Sequence, residues 1–345
     1  MYELFLFCAS IHLPMSPASP AKEGQSAEKK PVPTSGTKQN EQEKGIAQID
    51  LMRLLISTYG GDEEPPNESQ KKFSDLLTAY LKQEISKYKC AATYNILIHF
   101  DNSAIIKSDS DAIYGAVSNF EEKGKPLLML LVSVGGDAGS AYLIGKLCAE
   151  FCNKKFVVVV PRYAKSAATL LSCAANEIHM GNLSELGPID PQIKGMPTLG
   201  LKHSIEHIAE LAGKIPGSSK MFAEFLKGTI EPIQIGYYER VAESATQYAE
   251  RLLVKHEKTL INTPGDIANR LVYSYKDHKF VIDKEEATAI FGGQTIFSNT
   301  PEYELGNRVY SILSEVENLA NIFNYLFYFI GATNAGGTFR KRPNR

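Results

Sequence analysis

From Tyr94 onward the chain falls into short, nearly unbroken apolar runs separated by stretches of helical period. NILIHF (95–100), LLMLLVSV (127–134) and FVVVV (156–160) are too short for core helices. They are also too uniformly apolar for strands with one wet face, so each predicts a strand buried on both sides. A shorter run, EIHM (177–180), follows them. Between and after these runs, 109–123, 138–153 and about 167–175 predict helices. Strand alternating with helix predicts an α/β fold with a mostly parallel sheet and right-handed crossovers.

The flanks differ in texture. Helical patterns cover 46–58, stopped by Gly60-Gly61, and 68–87, where Phe73, Leu76, Leu77, Tyr80 and Leu81 share one face. Beyond Pro197 the chain reads as mostly helical, with long amphipathic stretches at 235–259 and 302–329. Phe323, Leu326, Phe327 and Ile330 form an apolar stripe on the latter, before a basic tail at 339–345. Residues 14–45 carry five prolines and no aromatic residue, too little apolar surface to offset ordering entropy. The expected organisation is a disordered lead over 1–45, a helical approach over 46–93, an α/β core over 94–300, and a C-terminal helix with a basic tail over 301–345.

Composition narrows the class. The 345 residues hold 37 Lys and Arg against 39 Asp and Glu, a formal charge of −2, which gives no electrostatic footprint for nucleic acid. A hydrophobic share of 43% with 22% charged residues excludes both a wholly disordered chain and a multi-span membrane protein. The apolar stretch 319–332 is interrupted by Asn321 and Asn324 and falls short of the roughly 20 residues a bilayer needs. The apolar run 4–11 has no Lys or Arg before Lys22 and does not read as a secretory signal. Five scattered cysteines with no C-x-x-C pair point to a reducing, cytoplasmic setting. Cys148 and Cys152 lack a second ligand pair, and His203 and His207 lack the H-E-x-x-H glutamate, so no metal or cofactor is expected.

In open parallel sheets chemistry collects at the carboxyl ends of the strands. Two loops there stand out. Ser133-Val134-Gly135-Gly136-Asp137 closes a buried strand and opens a helix. Its paired glycines suit either a tight turn or backbone N–H groups presented to an anion. Pro161-Arg162-Tyr163-Ala164-Lys165-Ser166-Ala167-Ala168-Thr169 also leads from strand to helix. Ser166 there reads either as a helix N-cap or as a nucleophile on a sharp turn, with the next N–H available to an oxyanion.

Taken together, S-x-G-G, a helix opening on small residues, A-x-S-A-A-T, and then L-G-P-I-D-P-Q resemble the superfamily of the Clp protease proteolytic subunit and signal peptide peptidase A, to which the crotonase fold is related. The closer resemblance is to the serine dehydrogenase proteinase family. It spans roughly Tyr94 to Phe297. It implies a ClpP/crotonase-like fold of repeated strand-helix units, with Ser166 as nucleophile and the backbone N–H groups of Gly136 and Ala167 as oxyanion hole. It also implies an extended peptide or protein substrate and a homo-oligomer.

The base departs from the family pattern. Where the proteolytic-subunit branch has a histidine after the nucleophile, this sequence has Asp190, a poor acceptor for a serine proton at neutral pH. The segment Asp277-His278-Lys279 resembles the stretch that carries the acid in that branch. A spatially permuted triad follows, with His278 as base and Asp190 orienting it; Asp277 is a second place for the acid. A lysine base, as in the signal peptide peptidase A branch, remains open through Lys165, Lys194, Lys202 or Lys214. The expected function is serine peptidase; a crotonase-like acyl-coenzyme A enzyme and a non-catalytic scaffold are the competing readings.

Overall fold

The long apolar runs lie at the centre of a nine-stranded sheet in the computed structural model, which describes residues 45–343 apart from 62, 153–154, 194–195 and 228–231. The expectation of a disordered lead therefore lies almost wholly outside the described residues, as do Cys8 and Lys194. The strands are β1 (Asn95–Asp101), β2 (Leu127–Ser133), β3 (Phe156–Val160), β4 (Tyr163–Ala164), β5 (Glu177–Met180), β6 (Glu185–Leu186), β7 (Gln192–Ile193), β8 (Met196–Pro197), β9 (Ile296–Phe297), β10 (Tyr325–Ala332) and β11 (Thr338–Lys341). The helices are α1 (Gln48–Tyr59), α2 (Asn67–Ser86), α3 (Lys107–Ser118), α4 (Ala138–Phe151), α5 (Ala167–Ser172), α6 (Thr198–Lys214), α7 (Ser219–Leu226), α8 (Pro232–Leu253), α9 (Pro264–Tyr273), α10 (Lys284–Phe291) and α11 (Pro301–Ile322).

The main sheet runs β11-β10-β1-β2-β3-β5-β9, and β1, β2, β3, β5 and β9 are mutually parallel. All seven residues of β2 are buried, because helices cover both faces. Pleating divides β1 accordingly. Leu97 faces the core built with Ile113 of α3, Ile144 of α4 and Leu252 of α8, whereas Ile98 and Phe100 face Leu55 of α1, Phe73 of α2 and Ile312 of α11.

The C-terminal expectation needs correction. The helix stops at Ile322 rather than running to 329, Asn324 adopts a left-handed φ of 63°, and the chain returns as β10, antiparallel to β1. YLFYFIGA alternates with period 2, burying Tyr325, Phe327 and Phe329 and leaving Leu326 on the opposite, wetter face. The expected helical stripe is thus broken up: Phe323 caps α11, Leu326 and Ile330 lie on one face of β10, and Phe327 lies on the other. The first residues of the basic tail form β11, and Phe339 stacks on Tyr59 with ring centroids 4.1 Å apart.

One switch in the sheet positions the site. At Pro161 β3 leaves β2, and β4 takes its place, pairing Ala164 with Ser133, while β6 adds beside β4. The Lys165 N–H donates to Ser133 O at 2.9 Å. The two glycine- and serine-bearing loops are thereby brought side by side at the carboxyl end of β2.

Candidate active site

Gly135 and Gly136 are required where they stand. Gly135 has φ 103°, and a Cβ there would sit 2.8 Å from the Ser166 Cβ. Gly136 has φ 149°, and a Cβ there would lie 2.3 Å from the Ile105 nitrogen. Ile105 bridges this segment in parallel: its N–H donates to Gly135 O at 2.7 Å, and its carbonyl accepts from Asp137 N–H at 2.8 Å. In such a bridge the intervening residue turns its own N–H the other way. Gly136 N–H consequently points away from Ile105.

Ser166 occupies a strained position, φ 51° and ψ −114°. Ala168 N–H closes the turn onto Lys165 O at 2.8 Å, which makes Ser166 the first central residue of a type II′ turn, a place where glycine is normal. Neighbouring N–H groups are committed: Gly135 to Ser133 Oγ at 3.2 Å, Asp137 to Ile105, and Ala168 to Lys165. Gly136 and Ala167 N–H have no acceptor among the described residues. Both belong to a cleft of about 500 Å³ shared by Ser166, Ala138, Ile189, Pro191, Val241 and His278.

His278, on the loop between α9 and α10, reaches the same cleft, and behind it stands Asp190. His278 Nδ1 lies 3.5 Å from Asp190 Oδ2, an ion-pair distance that a shift of about 0.6 Å converts to a good hydrogen bond. Asp190 is 6% exposed, and its Oδ1 is buried without a hydrogen-bond partner among the described residues. Buried polar atoms are nearly always paired, so this oxygen is an exception within the described residues. Ser166 Oγ makes no hydrogen bond among the described residues, and His278 and Ser166 share the cleft without one joining them. Asp277, the other candidate acid, is exposed and accepts from Lys279 N–H at 2.9 Å, bracing its own turn.

The family follows from comparison of sequences. A model of ClpP-like SDH-type serine proteinases matches residues 74–250, about half of the chain. The chain belongs to this family. Two uncharacterized proteins of Methanocaldococcus jannaschii are similar to it: MJ0137, 27% identical over 68% of this chain and 72% of that protein, and MJ1495, 26% identical over 42% and 49%. Among solved structures, a mutant of the 1510-N membrane-bound stomatin-specific protease aligns over 70% of this chain and 90% of its own, at 12% identity and TM-score 0.37. ClpP1 from Listeria monocytogenes aligns over 64% and 98%, at 14% identity and TM-score 0.35. An enoyl-CoA hydratase from Mycobacterium marinum aligns over 61% and 88%, at 13% identity and TM-score 0.31.

In this ClpP-like SDH-type chain the two lysine candidates with described side chains, Lys165 and Lys214, have carboxylate partners of their own. Lys165 Nζ is 2.9 Å from Glu185 Oε2 and donates to Leu186 O and Phe280 O, at 3.3 and 3.4 Å. Lys214 is an exposed residue of α6 beside Glu210, and the Lys202 side chain is not described. No cluster of His, Cys, Asp and Glu suited to a metal occurs among the described residues. Burial pushes the Cys173 thiol up to about 12 and the Cys152 thiol to about 11, so neither offers a thiolate near neutral pH. No described helix is long and apolar enough to cross a membrane.

Two contributors escaped the sequence reading. Thr169 is fully buried: its Oγ1 is 2.7 Å from Ala164 O and 2.8 Å from Gly187 O, and it accepts from Gly187 N–H at 3.1 Å. It ties the serine turn to the segment leading to Asp190, and its spacing three residues after Ser166 was the available signal. Ile105, which backs the glycine pair, had no local signal, because its role depends on a bridge across the sheet.

Proposed function

We propose that the protein is a serine peptidase that acylates Ser166. The observation that carries this reading is the strained Ser166 turn beside two uncommitted N–H groups, Gly136 and Ala167, in one cleft with His278. Ser166 Oγ attacks the scissile carbonyl while His278 Nε2 takes its proton. Asp190 holds the Nδ1–H and stabilises the imidazolium. Gly136 and Ala167 N–H receive the tetrahedral oxyanion, each such donor contributing about 3 to 4 kcal/mol to the barrier reduction. His278 then returns the proton to the leaving amine, and water hydrolyses the acyl-enzyme by the same groups in reverse.

The substrate lies extended along the edge of Gly135–Gly136 that Ile105 leaves open, as an added strand. An acyl-coenzyme A enzyme would use the two N–H groups but needs no serine at 166, where a non-glycine residue costs stability. Family membership supports a homo-oligomer, and the free thiols at Cys90, Cys148, Cys152 and Cys173 support a reducing, cytoplasmic setting. The test is hydrolysis of a quenched fluorescent peptide library. Wild type should cleave members of it and Ser166→Ala none; equal turnover by the two would refute the assignment.

A further inference from the structure

Lys165 precedes the proposed nucleophile, yet its ammonium is turned to the opposite side of the chain. There it meets three acceptors from two other segments: the Glu185 carboxylate and Leu186 O of β6, and Phe280 O. An ammonium has three N–H donors and no acceptor capacity, so these three partners use all of it. The side chain is 16% exposed. Room for its stem is made by Gly187, where a Cβ would lie 2.6 Å from Lys165 Cδ.

The partners are significant for what they lead to. Glu185 and Leu186 open the segment that reaches Asp190, and Phe280 is two residues from His278. Leu186 and Ile282 exchange backbone hydrogen bonds of 2.9 and 3.1 Å, so the two segments already run together. Lys165 fastens both of them to the residue adjoining Ser166.

We infer that Lys165 is a positioning residue that holds the His278 and Asp190 segments in register with the Ser166 turn. The inference rests on the peptidase reading above. It assigns Lys165 no proton transfer; its effect runs through the placement of His278. Misplacing a catalytic group by about 1 Å can cost on the order of a hundredfold in rate. Removing the ammonium takes a donor from the Leu186 and Phe280 carbonyls and the charged partner from Glu185. The segment carrying His278 then keeps its bridge to Leu186 but loses its tie to the residue beside Ser166.

The experiment is a double-mutant cycle read by the rate at which a fluorophosphonate labels Ser166. Lys165→Met should slow labelling by about ten- to a hundredfold relative to wild type. In a His278→Gln background the same substitution should change it by less than about twofold, because an effect transmitted through His278 has nothing left to act on. Equal losses in both backgrounds, or no loss in either, would overturn the inference. If Lys165→Met does not fold by circular dichroism, Glu185→Gln serves in its place. It keeps the lysine and removes its charged partner, and a loss of about threefold that vanishes with His278→Gln supports the inference. A Glu185→Gln loss that persists there refutes it. Failure of wild type to label at all refutes the peptidase reading and this inference with it.

Discussion

Replacing Ser166 by glycine and by alanine separates what the serine turn costs from what it does. At φ 51° and ψ −114° any residue with a Cβ is held in a sparsely populated region, at about 1 to 3 kcal/mol. Glycine relieves that strain but loses about 0.5 to 1 kcal/mol more backbone entropy on folding. Ser166 Oγ has no hydrogen bond among the described residues, so loss of the hydroxyl weighs equally on both variants. The difference should leave Ser166→Gly more stable than Ser166→Ala by about 1 kcal/mol, a melting temperature about 2 °C higher in a chain of this size. Both should be inactive. Parallel thermal and urea unfolding measure the difference, and an alanine variant as stable as the glycine variant would show that the turn is not strained.

Further outcomes follow from other contacts. Gly136→Ala forces a methyl group to within 2.3 Å of the Ile105 nitrogen, so the oxyanion donor moves with the displaced strand; labelling of Ser166 should fall by about a hundredfold or more in stopped-time assays. Burial pushes the His256 imidazole down to about 4 from its ordinary 6.5. Between those pH values the unfolded chain binds the extra proton, so stability is full above pH 6.5 and declines as pH falls toward 4, by about 3 kcal/mol in all. Urea midpoints for His256→Phe should show that decline flattened; an unchanged slope would mean another group causes it. Asp190→Asn keeps the shape of the site but deprives His278 of its partner, and kcat should drop by about 10⁴-fold with little change in KM.

The central strands were legible because parallel strands covered on both faces must be apolar throughout, as in LLMLLVS and FVVVV. The sharp turn at Ser166 and the glycine pair were legible as local strand-to-helix patterns, whereas the roles of Ser166, Gly136 and Ala167 came from the resemblance. The C-terminal hairpin was misread: Phe323, Leu326, Phe327 and Ile330 fall at helical spacing, and what decides is the open edge of β1 that Phe329 to Ala332 fill. The pairing of His278 with Asp190 was stated from resemblance, not from spacing. Their approach depends on Leu186 bridging Ile282 and on Ile189 N–H donating to Leu271 O at 2.9 Å, contacts between segments far apart in the chain. The partners of Lys165 were not legible in the sequence, which left it only as one of several open lysine candidates. Adjacency to the serine says nothing of direction, and successive side chains on a turn diverge.

The most direct test of the account is to treat the full-length protein with a fluorophosphonate and map the modified residue by mass spectrometry, beside His278→Gln. The account predicts one phosphonylated residue, Ser166, with labelling slowed by about 10³-fold or more when His278 is replaced. Modification at another residue, or labelling of Ser166 at an undiminished rate without His278, would contradict it.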